Sequence, residues 1–154
     1  MRAQLICVGK PKNPHASALY DDFESRIGKL GLEFSGNWVA EERSGGRYSD
    51  DHVMERESRR LLEALDKGVR LVALDRRGRQ LGSEQLAAVL RRWVTPFAAI
   101  VLGGPLGHHA GLIDRADEVW SLGPLTLPHE LARVVATEQI YRAMTLIRGV
   151  PYHK

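Results

Sequence analysis

Short apolar runs alternate along this chain with longer stretches whose apolar residues recur at helical spacing. Gln4 to Val8 reads as a strand. Pro14 to Lys29 mixes apolar and charged residues as an amphipathic helix, and Pro14 suits its first turn. Glu33 to Val39 predicts a second strand, followed by a charged loop through Ser44-Gly45-Gly46-Arg47. A helix then presents Met54, Leu61, Leu62 and Leu65 on one face and ends at Gly68. Val69 to Leu74 predicts a strand, Ser83 to Trp93 a helix capped by Ser83, and Phe97 to Leu102 and Glu118 to Leu122 two further strands. The last helix is expected from about Pro128, at its first helical position, to about Arg148, where Gly149 and Pro151 stop it.

Strand followed by helix, repeated, argues an α/β fold with a mostly parallel sheet covered by helices on both faces. The 154 residues fit one domain, 1–154, and no repeat, low-complexity tract or linker divides them. In the last helix Leu131, Val134, Val135, Ile140, Met144 and Ile147 occupy more than one stripe. One face can therefore pack on the sheet and another on a second subunit. Glu138 and Arg142, four apart, can pair on its surface.

Composition narrows the function only slightly. Cys7 is the single cysteine and lies in an apolar run, so no intramolecular disulfide forms; a buried strand cysteine in a reduced, cytoplasmic setting is expected. No apolar stretch is long enough for a membrane helix, and the N-terminus reads as a strand rather than a secretory signal. The net charge of +3 permits an anionic partner without requiring one. Between Arg70 and Arg92, six arginines face only Asp75 and Glu84, a local charge of +4. Arg76, Arg77 and Arg79 crowd a turn around Gly78, either as a solvated face or as a patch that contacts phosphate.

Two loops carry the candidate chemistry. Gly103-Gly104-Pro105 follows a strand, where glycine allows positive φ and close approach to a ligand. It lacks the spacing of a nucleotide phosphate loop or a dinucleotide fingerprint. Leu122 to Leu127 is mostly apolar, so recognition there would rest on backbone N–H and C=O groups, an environment that suits an adenine edge. A tight turn and a packed connection remain the plainer readings. The adjacent His108 and His109 have no second ligand cluster nearby, and no metal is expected. There is no nucleophile elbow; Ser121 reads as a strand end.

In their order and spacing, several segments resemble the family of large-subunit ribosomal RNA pseudouridine N3-methyltransferases H, minimal members of the SPOUT superfamily. These are Leu5-Ile6-Cys7-Val8-Gly9-Lys10, Leu74-Asp75-x-x-Gly78, Ser83-Glu84-x-Leu86-Ala87, Gly103-Gly104-Pro105-x-Gly107, Leu125-Thr126-Leu127-Pro128-His129, Arg133-Val134, Glu138-Gln139-x-Tyr141-Arg142-Ala143 and Pro151-Tyr152-His153. The resemblance spans the whole chain. It implies a homodimer with a C-terminal trefoil knot over about residues 70–154, a topology that physical rules alone would have rejected. It further implies S-adenosyl-L-methionine as cofactor and methylation of N3 of a pseudouridine in 23S rRNA on the assembled ribosome. Two departures stand out: Leu106 replaces an acidic or polar residue common in relatives, and Gly123-Pro124 replaces a pair often starting with Ser.

Carried over by position, the cofactor residues are Leu74, Gly103, Leu122, Gly123, Pro124, Leu125, Thr126 and Leu127. The resemblance also points to the tail, where His153 is the expected base for the N3 proton and Tyr152 a residue that stacks on or bonds the target base. Arg76, Arg77, Arg79, Arg142 and Lys154 are the candidate RNA contacts. A frayed terminus is the plain alternative for the tail. In function, a non-catalytic ribosome-binding factor and a tRNA methyltransferase of the same fold remain open.

Overall fold

The computed structural model describes residues 1–43, 45–93 and 97–154; Ser44 of the expected loop lies outside them. Ten elements alternate along the chain: β1 (Arg2–Val8), α1 (Pro14–Lys29), β2 (Glu33–Val39), α2 (Asp50–Glu63), β3 (Arg70–Gln80), α3 (Ser83–Leu90), β4 (Ala98–Leu102), α4 (Ala110–Arg115), β5 (Glu118–Ser121) and α5 (His129–Arg148). The strands form one sheet in the order β2-β1-β4-β3-β5, and every pairing is parallel. The expected α/β class with a parallel sheet is therefore what the chain adopts.

Side-chain alternation along the strands divides the core into two layers. Leu5, Cys7, Val72, Leu74, Ile100 and Leu102 face α1, α3 and α5, where Tyr20, Ile27, Leu86, Leu90, Ile140 and Met144 complete the larger cluster. Ile6, Val8, Leu71, Ala73 and Val101 face the other way, onto Leu61 of α2 and Leu112 of α4. Each fully buried Leu or Ile contributes about 1.5–3 kcal/mol. Cys7 belongs to the first layer, and burial pushes its thiol up to about 12, which makes it a packing residue rather than a nucleophile.

Several expectations need correction. Helix α3 begins at Ser83 but is not capped by it: Gly82 holds the cap position, and its N–H donates to Gln85 Oε1 at 2.9 Å. Helix α3 also stops at Leu90 rather than Trp93. Pro128 precedes α5 in an extended conformation, φ −53° and ψ 140°, instead of occupying its first turn. Helix α4 was not foreseen. Its six residues are too few to show a helical period, and it starts on an unusual cap, His109, whose Nδ1 accepts from Gly111 N–H at 3.1 Å.

Strand β3 does not end at Leu74. Leu74 and Arg79 both pair with Trp120 of β5, so residues 75–78 bulge out of the ladder. The chain passes so close to Trp120 there that a Cβ on Gly78 would stand 2.5 Å from the Trp120 carbonyl carbon. The turn expected around Gly78 is thus a bulge inside a strand, and it aims Asp75, Arg76 and Arg77 past the sheet.

Candidate functional site

Where β4 and β5 end beside the bulge in β3, the chain forms a cavity of about 750 Å³. Leu74, Asp75, Arg76 and Arg77 come from the β3 bulge, Leu102 to His108 from the segment after β4, and Ser121 to Leu127 from the segment after β5. Met54 of α2 and Ala132 of α5 complete the walls. This is the crevice beyond the carboxyl ends of strands in which open α/β sheets hold ligands. All eight positions expected to contact a cofactor line it: Leu74, Gly103, Leu122, Gly123, Pro124, Leu125, Thr126 and Leu127.

The loops are fixed by backbone conformation more than by side chains. Positive φ falls at Gly107 (84°) and Gly123 (118°), not at Gly103 or Gly104 as expected. Gly103 and Gly104 are needed for room: a Cβ on Gly103 would lie 3.0 Å from the Gly107 carbonyl carbon, and one on Gly104 would lie 2.8 Å from Glu57 Oε2. Gly104 and Gly107 then close a small bridge, with Gly107 N–H donating to Gly104 C=O at 2.9 Å. At the other loop, Gly123 N–H donates to Ser121 Oγ at 3.1 Å and the Ser121 hydroxyl donates to Gly123 C=O at 3.2 Å. Ser121, the last residue of β5, is the strand end that was expected.

Charge inside the cavity centres on Asp75. Its side chain is 6% exposed and accepts from Arg77 Nε at 2.8 Å and Nη2 at 3.1 Å, a two-pronged pair. The Arg77 guanidinium holds this carboxyl below the usual carboxylate range. His108 is buried beside it, neither ring nitrogen has a hydrogen-bond partner among the described residues, and burial pushes its imidazole down toward the neutral form. Leu106, Leu122 and Leu125 are exposed at the rim, Leu125 to 81%. Among the described residues no group of three or more His, Cys, Asp or Glu side chains gathers as a metal site. No helix among them is long and apolar enough to cross a membrane.

The tail is anchored rather than frayed. Tyr152 packs edge-on against Tyr141 at 4.7 Å, lies under the Arg142 guanidinium at 4.8 Å and donates its hydroxyl to Glu138 Oε1 at 3.0 Å. Burial and the Glu138 carboxylate push the Tyr152 phenol up. Arg142 and Glu138 form the expected pair four residues apart. His153 Nδ1 stands 3.5 Å from Arg142 Nη1, and Nε2 stands 3.9 Å from Glu84 Oε1 at the start of α3. Neither Tyr152 nor His153 lines the cavity of its own chain.

The candidate RNA contacts separate in the same way. Arg76 and Arg77 are exposed at the cavity, whereas Arg79 stands 3.7 Å from Glu118 on the sheet and Arg142 is engaged with Glu138. Lys154 is exposed at the chain end.

Sequence reasoning missed the underside of the β4–α4 loop. Glu57 and Ser58 on α2 are both buried; Ser58 Oγ accepts from His109 N–H at 3.0 Å, and Glu57 Oε1 accepts from Glu42 N–H at 2.9 Å. A Glu-Ser pair among the charges of α2 reads as solvated surface. The one available signal is that the helix's apolar face, Val53 to Leu61, has a gap that Glu57 and Ser58 fill.

The family described as "Predicted SPOUT methyltransferase" matches residues 1–153. Two relatives named ribosomal RNA large subunit methyltransferase H are similar over essentially their full lengths. The one from Stenotrophomonas maltophilia (strain K279a) is 39% identical over 156 residues, covering 100% of this chain and 99% of the relative. That from Brucella anthropi is 40% identical over 161 residues, with the same coverage of both chains. Among solved structures, a probable methyltransferase from Bordetella pertussis Tohama I shares the fold with a TM-score of 0.54 at 18% identity, covering 92% of this chain and 93% of that one.

Proposed function

The chain belongs to the SPOUT methyltransferase family, and on that premise we propose that it methylates N3 of a pseudouridine in 23S rRNA, using S-adenosyl-L-methionine, as a homodimer acting on the assembled ribosome in the cytoplasm. In this reading residues 1–154 form one domain whose segment of about 70–154 is threaded as a trefoil knot. The observation that carries it is the convergence of all eight cofactor positions on one cavity, at the bulge in β3 and the ends of β4 and β5.

The residues fit that cofactor. A cavity of about 750 Å³ suits a ligand of nucleoside size. Leu74, Leu122 and Leu127 offer apolar walls for a purine, and the loops offer backbone donors and acceptors. When bound, the cofactor supplies a methyl group on a positively charged sulfur, a centre open to in-line displacement.

The protein's task is positioning, which accounts for about 7–11 kcal/mol of a barrier when reacting groups are held in line. The Gly103–Gly107 and Leu122–Leu127 loops fix one partner. N3 of the base must lose its proton as the N–C bond forms, and His153 takes it. The 3.5 Å contact with Arg142 is long for a hydrogen bond, so the Nδ1 lone pair is only weakly engaged. Tyr152 presents its ring to the base, while Arg76, Arg77, Arg79, Arg142 and Lys154 hold phosphates. Because His153 stands outside its own chain's cavity, the tail acts on the cavity of the partner. The exposed Leu125 at the rim and Leu131 on α5 give such a dimer its apolar contact.

The test incubates the purified protein with labelled S-adenosyl-L-methionine and, separately, free rRNA, 50S particles, 70S ribosomes and tRNA, and identifies the modified nucleoside by mass spectrometry. A 3-methylpseudouridine from ribosomes alone is expected. Label in free tRNA, or none in any RNA, would overturn the reading.

A further inference from the structure

Helix α2 carries two buried polar side chains directly beneath the loop that follows β4. Ser58 meets the loop's far end through His109 N–H, and Glu57 meets its start. Glu57 is 3% exposed, its Oε1 is taken by Glu42 N–H, and its Oε2 is sealed from solvent with no hydrogen-bond partner among the described residues. A Cβ on Gly104 would stand 2.8 Å from that oxygen and 3.4 Å from the carboxyl carbon. The bare backbone of Gly104, a residue lining the cavity, is what lets the carboxyl group sit there.

We propose that Glu57 is a positioning residue of the methyl-donor site, its carboxyl group propping Gly103-Gly104 from beneath and so fixing the height of the loop that lines the cavity. This rests on the reading of that cavity as the donor site. The carboxyl group fills the space that a side chain on Gly104 would need and so limits the loop's travel at one end, and the Ser58–His109 bond limits it at the other.

The surroundings of the prop favour its neutral form. The charged groups facing Glu57 are Arg60 on its own helix and Glu41 and Glu42 from the segment after β2. At Gly104 the β4–α4 loop presents backbone. Arg60 is already committed, donating to Glu42 Oε2 at 2.7 Å and to Ala40 C=O at 2.9 Å. Arg56 stands 3.0 Å from the same Glu42 oxygen. Among the described residues no cation bonds Glu57; Arg60 favours its charge only from a distance, and an ionised carboxylate with a bare buried oxygen is far costlier than a carboxylic acid. Burial accordingly pushes the Glu57 carboxyl up. Ionisation at high pH would leave a buried oxygen charged and unsolvated, and the cost is relieved when the loop lifts to let water reach it.

Calorimetric titration of the full-length protein with S-adenosyl-L-methionine tests this across about pH 5 to 9. In the wild type the donor's Kd should rise with pH. Glu57→Gln, which keeps the shape and a neutral head, should bind within about threefold of wild type at low pH and lose that dependence; Glu57→Ala should bind about tenfold more weakly. Gly104→Ala should be costly beside Glu57 and much cheaper combined with Glu57→Ala, because truncation makes room for the new methyl. Melting temperatures of all variants separate loss of fold from loss of affinity. Equal pH dependence in wild type and Glu57→Gln, or additive costs for Gly104→Ala and Glu57→Ala, would overturn the prop while leaving the donor site standing. A wild-type protein that binds no S-adenosyl-L-methionine would overturn both.

Discussion

The donor cavity and the C-terminal tail carry the two halves of the proposed reaction, and they are built on opposite plans. The cavity is made mostly of backbone: the bulge in β3 and the ends of β4 and β5 supply it, and Gly103, Gly104, Gly107 and Gly123 shape it. The tail is held by side chains, Tyr152 on Tyr141, Arg142 and Glu138, and it presents His153 outside the cavity of the same chain. In the proposed dimer the backbone-built site is complete within one subunit, whereas the anchored tail serves the cavity of the other. The pairing makes binding of the donor separable from chemistry on the acceptor.

The largest effect should come from the tail. His153→Ala is expected to lower single-turnover methylation by about 10²–10⁴-fold while leaving the donor's Kd unchanged in calorimetry. A near-normal rate would remove His153 as the base. On the cavity side the pattern reverses: Gly103→Val places a side chain 3.0 Å from the Gly107 carbonyl carbon and 3.3 Å from the His108 ring, and should weaken donor binding about tenfold or more. The tail's packing, read by the NMR signals of the Tyr152 ring, should not change.

Much of this contrast was legible beforehand. The bounds of α1 and β2 and the end of α5 follow directly from period, proline and glycine, because these elements present clean stripes or strong breakers. The cavity residues came from resemblance, and the structure adds that they converge. The bulge in β3 was not legible, since its cause is the approach of Trp120 from a strand some forty residues later. Glu57 escaped for a similar reason: burial is decided by what packs above α2, and nothing local to Glu57 reports that Gly104 lies there. Residues whose role depends on a distant backbone are the ones that sequence pattern cannot reach.

A smaller effect should follow from pH. His108 is buried neutral, so below its ordinary value of 6.5 the unfolded chain takes up a proton that the folded chain refuses. Stability is therefore expected to fall as pH drops through that range. His108→Leu should flatten this part of the melting-temperature profile, and an unchanged profile would show that the ring is not the group responsible. Smaller still, Tyr152→Phe removes one hydroxyl bond to Glu138 but keeps the ring contacts. It should cost about 0.5–1.5 kcal/mol, a shift of about 1–6 °C in melting temperature. A much larger loss would mean that the tail is held chiefly by that bond rather than by stacking.

The difference between the two regions is tested most directly by mixing subunits. His153→Ala protein has an intact cavity and a dead tail, and Gly103→Val protein the converse; assayed with the donor well below the Gly103→Val Kd, each alone should be nearly inactive. If the tail of one subunit serves the cavity of the other, unfolding and refolding the two together forms mixed dimers with one complete site. Methylation should return to about a quarter of the wild-type rate at equal mixing. A mixture as inactive as its components, with mixed dimers demonstrated by mass spectrometry, would show that each tail serves its own chain and would contradict the division.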